Sequence, residues 1–125
     1  MTTDTATLEA TIDTYLEAYG ETDADRRADL IKQVWAEDGQ LIDPPLDGKG
    51  HDGIDAMFAA VQGQFPGHTF GRSTGIDAHH SLARYGWELV AADGSVTLGG
   101  MDVAVIADDG KLNRVAGFFG DLPAR

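Results

Sequence analysis

The sequence predicts an α+β fold in which helices come first and a sheet follows. Apolar residues recur at helical spacing as far as Phe65, whereas the chain beyond Pro66-Gly67 alternates with the two-residue period of strands. Two Asp-Gly pairs, at 93–94 and 109–110, separate the last three strand-like runs and are typical of hairpin turns. We therefore expect one domain, residues 1–125, with helices packed on one side of a curved antiparallel sheet.

Three helices are predicted, each from an apolar stripe and a stop signal. The first has its apolar stripe at Leu8, Ile12, Tyr15, Leu16 and Tyr19, and Gly20 ends it. The second begins at a cap, Thr22 or Asp23, and directs Leu30, Ile31, Val34 and Trp35 to the core. The third carries Ile54, Met57, Phe58, Val61 and Phe65.

Strands account for most of the remaining chain. A short strand over residues 40–43 is expected to stop at Pro44-Pro45, because proline forces the residue before it out of the helical region. Further strands are predicted over residues 68–73, 75–80, 82–91, 96–107 and 111–119.

The composition argues against several classes of function. With 21 acidic and 9 basic residues the formal net charge is -12, which disfavours nucleic acid and anionic membranes as partners. No cysteine is present, so disulfides and thiolate chemistry are excluded. Residues 1–5 resemble no leader sequence, and no apolar run is long enough to span a membrane. A cytoplasmic protein is expected.

Three polar residues stand in apolar settings. Asp102 lies on the same strand face as Leu98, Ala104 and Ile106, and a buried carboxylate is costly unless it is protonated, paired or turned toward a cavity. Asp43 ends a strand, and Tyr15 lies on the apolar stripe of the first helix. Structural alternatives are open for all three.

Those alternatives are specific. Asp102 can be a structural carboxylate bonded to a backbone amide or to an arginine such as Arg84 or Arg114. Asp43 can be an ordinary turn residue before proline, and Tyr15 a core tyrosine.

Several short segments together resemble the ketosteroid isomerase and SnoaL-like branch of the nuclear transport factor 2-like superfamily. They are Thr14-Tyr15-Leu16-Glu17-Ala18, Trp35-Ala36-Glu37-Asp38-Gly39, Ile42-Asp43-Pro44, Gly50-His51-Asp52-Gly53-Ile54, Met101-Asp102-Val103 and Gly117-Phe118-Phe119-Gly120. The likeness covers nearly the whole chain. It implies a cone-shaped fold of three helices on a curved antiparallel or mixed sheet that encloses a cavity.

The resemblance also implies roles for residues. Asp43 would be the general base, and Tyr15 with a protonated Asp102 would donate hydrogen bonds to an oxyanion. The residues expected to line the ligand cavity are Trp35, Met57, Phe58, Tyr85, Trp87, Leu89, Val115, Gly117 and Phe119. Phe58 stands where the isomerases carry a supporting tyrosine, and Trp87 is bulky for a steroid site, which favours a smaller or flatter ligand.

The function expected is acid/base proton transfer beside a carbonyl in an apolar cavity. The enzyme would be an isomerase, cyclase or dehydratase that acts without a cofactor on a small apolar carbonyl compound. One alternative is a binding protein that holds an apolar ligand without turning it over. Another is a docking module, in which a salt bridge would occupy Asp102 while Trp87 and Phe119 fill the cavity.

Other motifs carry less weight. His79 and His80 are neighbours on a strand and point to opposite faces, so they are not expected to share a metal ion, and no metal site is expected elsewhere. The glycine-rich segment 48–53 lacks the parallel strand context of a dinucleotide site. Met101, Val103 and Val105 make the other face of the Asp102 strand apolar, which predicts a homodimer.

Overall fold

The structure, a computed structural model, describes residues 5–125. The expectation of no leader sequence was based on residues 1–5, and residues 1–4 lie outside the described residues. Three helices are present: α1 (Thr5–Tyr19), α2 (Ala24–Val34) and α3 (Gly50–Gln64). The strands are β1 (Trp35–Asp43), β2 (Leu46–Lys49), β3 (Thr69–Arg72), β4 (Asp77–His79), β5 (Leu82–Val90), β6 (Val96–Ile106) and β7 (Leu112–Phe119).

The helices form where the apolar stripes predicted them. The carboxylate of Asp23 caps α2 by accepting from the amides of Asp25 and Arg26, so Asp23 and not Thr22 is the cap. The buried Arg27 of α2 bonds Asp55 of α3 at 2.7 Å and ties the two helices together.

The sheet is mixed and has seven strands. The order is β2-β1-β7-β6-β5-β3, and β4 pairs with β5 beside β3. Among the strands of residues 5–125, only β1 and β7 pair in parallel, and every other neighbouring pair is antiparallel. The α+β fold predicted from the sequence is therefore confirmed.

Two details of the first strand were predicted wrongly. The strand starts at Trp35, which was placed on the second helix, and a bulge between Trp35 and Gln40 lets it join β7. Its length was underestimated because Gly39 and the acidic residues before it carry no strand pattern. Residues 46–49, where no strand was predicted, form β2, and Pro44-Pro45 is the turn of a hairpin in which Asp43 faces Leu46.

The core lies between the helices and one face of the sheet. Along β5, Ala83, Tyr85, Trp87 and Leu89 are buried on alternate positions. On β6, Asp102 and Ala104 are buried on this face, whereas the alternate residues Met101 and Val103 point to the other face and are exposed. The helices thus cover one face of the sheet and leave the other open. Among the helices described here, none has both the length and the apolar character needed to cross a bilayer.

Candidate functional site

Two buried carboxyl groups meet in one row across the middle of the sheet. Tyr85 of β5 pairs with Asp102 of β6, and Asp102 pairs with Gly117 of β7. On the other side of β7, Ile42 pairs with Ala116 in parallel register, which brings the next residue, Asp43, to the level of Gly117. Strand pairing alone therefore brings Asp43 and Asp102 to either side of one glycine.

Gly117 makes room for both carboxyl groups. A Cβ at this position would overlap Oδ1 of Asp43 and would lie 3.1 Å from Oδ1 of Asp102. The two oxygens thus occupy the space that any other residue at position 117 would fill with its side chain. The glycine was predicted as a lining residue, and its structural role is to let the carboxyl groups approach each other.

Each carboxyl group accepts a hydrogen bond from a different tyrosine. The Tyr85 hydroxyl donates to Oδ2 of Asp102 at 2.8 Å, and the Tyr19 hydroxyl donates to Oδ2 of Asp43 at 2.9 Å. Oδ1 of Asp43 is buried and has no hydrogen-bond partner within residues 5–125. Such an unpartnered oxygen is costly in a core and is common at sites where a ligand completes the hydrogen bonding.

Among residues 5–125, no cation pairs with either carboxyl group. The salt bridges of the described residues include neither Asp43 nor Asp102. Arg84, considered above as a partner for Asp102, bonds Asp77 on the exposed face instead. Asp102 is therefore not the salt-bridged residue that the docking-module alternative requires.

Burial raises the pKa of both carboxyl groups. The pKa of Asp102 rises from 3.8 to about 8, first because the group is desolvated and then because the Asp43 charge lies nearby; the Tyr85 hydroxyl and the Trp87 indole N–H oppose the rise. The Trp87 N–H lies close enough to act on Asp102 but outside hydrogen-bond geometry. Burial also raises the pKa of Asp43, and the Tyr19 hydrogen bond lowers it.

Tyr15 lies beside the two carboxyl groups without bonding either. Its ring is 1% exposed and packs edge-on against Trp35, with ring centres 5.4 Å apart. Desolvation and, next, the charges of Asp102 and Asp43 raise the pKa of its hydroxyl well above 10. The hydroxyl is therefore a protonated donor at neutral pH.

A cavity of about 330 Å³ opens beside Asp43. Its walls come from α1, α3, the β1–β2 turn and the inner face of the sheet. The lining residues are Tyr19, Asp43, Pro44, Pro45, Leu46, Val61, Gln64, Phe65, Phe70, Trp87, Leu89, Leu98 and Phe119. Asp43 is the one charged residue among them, so the wall is apolar around a single carboxyl group.

The predicted site residues divide into two groups around this wall. Asp43, Trp87, Leu89 and Phe119 line the cavity. The others are outside its lining: Tyr15, Trp35, Met57, Phe58, Tyr85, Asp102 and Val115 are buried in the core, and Gly117 lies under the carboxyl groups. Trp87 and Phe119 contact each other with ring centres 5.6 Å apart and leave the cavity open, unlike the filled cavity of the docking-module alternative.

Sequence reasoning missed Tyr19 as a site residue. It lies one helical turn after Tyr15 on the same stripe, and that spacing was the signal available. The Phe58 ring stacks on the Tyr19 ring with ring centres 4.3 Å apart, so Phe58 packs against the hydrogen-bond partner of Asp43. The remaining missed lining residues come from the end of α3, the β1–β2 hairpin and strands β3 and β6, and local periodicity does not indicate how deep each of these side chains lies.

A larger pocket of about 410 Å³ lies along α1 and β3 but has the character of a solvated surface. Its acidic residues Asp13, Glu17 and Glu21 are already paired, with Arg72 for the first and Arg26 for the other two. Within residues 5–125, no group of three or more metal-ligating side chains is placed to hold an ion. The cavity beside Asp43 is the candidate site.

Comparison with known proteins gives a consistent family. No protein-family model matches the sequence, and no curated protein sequence matches it. Among solved structures, a nuclear transport factor 2-like protein from Exiguobacterium sp. 255-15 superposes with a TM-score of 0.70 at 22% identity, covering 90% of this chain and 99% of its own. The two proteins therefore share a fold.

A more similar structure narrows the assignment. A proposed isomerase of the SnoaL-like family from Agrobacterium tumefaciens shares 35% identity and a TM-score of 0.86, covering 93% of this chain and 99% of its own. A proposed polyketide cyclase from Sinorhizobium meliloti has a TM-score of 0.69 at 15% identity, over 93% of this chain and 100% of its own. The chain belongs to the SnoaL-like family, as its sequence motifs predicted.

Proposed function

We propose that the cavity catalyses proton transfer beside the carbonyl of a small, largely apolar compound, with Asp43 as the general base. The observation that carries the proposal is the Asp43 carboxyl group itself: it lines the cavity, it is buried, and its Oδ1 has no partner among the described residues. A desolvated carboxylate is a stronger base than one in water, since burial raises its pKa.

Hydrogen-bond donors for the oxyanion are the second requirement of this chemistry. We retain Tyr15 and Asp102 for that role, because both groups hold their proton at neutral pH and lie beside Asp43. Both belong to the layer beneath the cavity lining, so the proposal requires the ligand oxygen to reach that layer. The step is shared by isomerases, cyclases and dehydratases, and the related proteins with proposed functions carry the names of the first two.

The cavity wall indicates the kind of compound. A volume of about 330 Å³ holds a small ring system, and the aromatic and aliphatic lining favours an apolar one. The wall offers no cation to an anionic ligand, and the Asp43 carboxylate would repel it. We therefore propose a neutral carbonyl compound, bound without a cofactor.

The test is hydrogen–deuterium exchange of an enolisable ketone that fits the cavity, for example 2-tetralone, followed by proton NMR in D₂O. The wild-type protein should accelerate exchange at the carbon beside the carbonyl, and Asp43→Asn should lower that rate about 100-fold or more. Asp47→Asn, an exposed carboxylate on the neighbouring strand that bonds Gln40, is the matched control and should leave the rate unchanged.

The outcomes separate the proposal from its alternative. Exchange that is no faster with protein than without it, across several neutral ketones that bind, would favour the passive binding protein of the same fold. Exchange that is accelerated equally by wild type and Asp43→Asn would place the base elsewhere.

We also propose that the chain forms a homodimer through the open face of the sheet. Met101 and Val103 of β6 and Phe118 of β7 lie there side by side, and the last of these is 59% exposed. A contiguous exposed apolar patch of this kind is typical of a protein interface. Sedimentation velocity should give a dimer, and Val103→Glu should give a folded monomer; a monomeric wild type would refute the proposal.

A further inference from the structure

The indole N–H of Trp87 is a second unsatisfied polar group at the cavity. Trp87 lines the cavity and is only 4% exposed, and its Nε1 has no hydrogen-bond partner among residues 5–125. A desolvated N–H without an acceptor is costly, so such a donor in a cavity wall indicates a position that a ligand acceptor completes. Burial alone is not sufficient, because Nε1 of Trp35 is equally unpartnered within the described residues but Trp35 is outside the lining.

Three neighbours hold the Trp87 ring in place. Gly100 of β6 pairs with Trp87, and a Cβ at position 100 would lie 2.7 Å from Cζ2 and 3.0 Å from Cε2 of the indole. Because Cε2 is bonded to Nε1, the edge of the indole that carries the N–H lies over β6. The rings of Phe70 and Phe119 pack against the indole, with ring centres 5.7 Å and 5.6 Å away. These contacts orient the N–H before any ligand binds.

The N–H lies near the carboxyl group of Asp43. It lowers the pKa of Asp102, although it is outside hydrogen-bond geometry to that residue. Oδ1 of Asp102 and Oδ1 of Asp43 both lie within 3.1 Å of the position that a Cβ of residue 117 would take. An unpartnered donor, Nε1 of Trp87, and an unpartnered acceptor, Oδ1 of Asp43, therefore belong to one part of the cavity wall. A ketone can satisfy both, because its carbonyl oxygen and its acidic C–H group are on adjacent carbons.

We propose that the Trp87 indole N–H donates a hydrogen bond to the carbonyl oxygen of the compound from which Asp43 removes a proton. This rests on the proposed function for the reaction itself. It adds a donor that lies in the cavity wall, whereas Tyr15 and Asp102 lie beneath it. An indole N–H donates and cannot accept, so this part of the wall selects a ligand oxygen with free lone pairs.

The hydrogen bond strengthens as the reaction proceeds. The carbon–hydrogen bond beside the carbonyl breaks, its proton joins Asp43, and its electron pair forms the carbon–carbon double bond of the enolate. The π electron pair of the carbonyl group passes to the oxygen, which becomes negative and binds the N–H more tightly, while the indole keeps its proton. In the reverse step Asp43 returns the proton to carbon. Trp87 thus stabilises the negative oxygen without taking part in proton transfer.

Proton–nitrogen NMR of the indole groups tests the contact directly, because the chain has only two tryptophans, Trp35 and Trp87. The probes are 2-tetralone and tetralin, which has the same ring skeleton without the oxygen. With the protein saturated by each, the indole proton of Trp87 should resonate downfield in the 2-tetralone complex relative to the tetralin complex. The indole proton of Trp35, outside the cavity lining, should resonate at the same position in both complexes.

Affinities give a second readout. Trp87→Phe should weaken 2-tetralone binding about 3- to 10-fold more than tetralin binding, because lost packing affects both compounds and the lost hydrogen bond affects only the ketone. The control is Leu89→Val, which shortens an apolar residue of the same wall and should weaken both compounds equally.

Two results would overturn the proposal: the same Trp87 signal in both complexes, or equal weakening of the two compounds by Trp87→Phe. Absence of 2-tetralone binding would overturn it as well, since the cavity would then take no such ligand. The wild-type NMR comparison decides the question even if Trp87→Phe fails to fold. A downfield Trp87 signal without ketone exchange would refute the proposed reaction and leave the hydrogen bond standing, and ketone exchange without that signal would do the reverse.

Discussion

Replacing Asp102 with asparagine should stabilise the protein, and the gain should grow with pH. Asparagine has the same shape and its side-chain oxygen can still accept from the Tyr85 hydroxyl, but it never ionises. The aspartate must either stay protonated or place a charge among buried residues. The substitution therefore removes the electrostatic cost and keeps the packing.

The size of the effect follows from the pKa change on folding. The pKa of Asp102 is 3.8 in an unperturbed chain and about 8 in the folded protein, so the folded state binds the proton more tightly. The stability associated with this group is fully present below about pH 4 and is lost as the pH rises toward 8. The slope is about 1.4 kcal/mol per pH unit, which amounts to about 4 kcal/mol by pH 7.

The measurement is the free energy of unfolding in urea for wild type and Asp102→Asn, at intervals between about pH 4 and about pH 8. The two proteins should be similar at the acidic end, and the variant should be more stable by several kcal/mol at neutral pH. Asp108→Asn, which removes an exposed carboxylate, should show no comparable slope. A difference between wild type and Asp102→Asn that does not change with pH would refute the reasoning.

The remaining predictions concern the same site. Gly117→Ala places a Cβ on Oδ1 of Asp43 and should lower the free energy of unfolding by about 1–3 kcal/mol. The control Gly71→Ala, with open space around the added Cβ, should be nearly neutral. Equal urea midpoints for the two variants would contradict the close approach of the Asp43 carboxyl group to Gly117. Tyr19→Phe removes the hydrogen bond that lowers the pKa of Asp43, so the onset of ketone exchange should move to higher pH; an unchanged pH profile would mean that Tyr19 does not tune the base. At pH 7, calorimetry should show that 2-naphthoate binds at least about tenfold more weakly than neutral 2-naphthol, because the cavity wall offers one carboxylate and no cation. Equal affinities would contradict the preference of the cavity for neutral ligands.

The order of the elements could be predicted from the sequence because it depends on local periodicity. The stripes of the helices and the alternation around Tyr85 and Asp102 are each set by residues close in the chain. The Asp-Gly turns between the last strands are equally local. The extent of β1 was not predictable in this way, because the bulge that lets Trp35 join the sheet depends on pairing with a strand about 75 residues later.

The chemistry of the site was predictable only in part. Asp102 could be singled out because a carboxylate on an apolar strand face is costly, and its raised pKa agrees with that argument. The division between cavity wall and core could not be predicted, because it depends on how deep each side chain lies. Trp35 and Phe58 fill the core for this reason, while Tyr19 and Phe70 reach the cavity.

The single parallel pair, β1 with β7, has a consequence for how the protein is made. Among the strands of this sheet, β1 with Asp43 is synthesised first and β7 with Gly117 last, so the carboxyl groups can meet on either side of Gly117 only after β7 has been made. Until then the backbone N–H and C=O groups along one edge of β1 lack their β7 partners. Unpaired strand edges of this kind make nascent chains prone to aggregation. Assembly of the site and closure of the sheet are therefore the same event, and a chain cut before residue 112 should have neither.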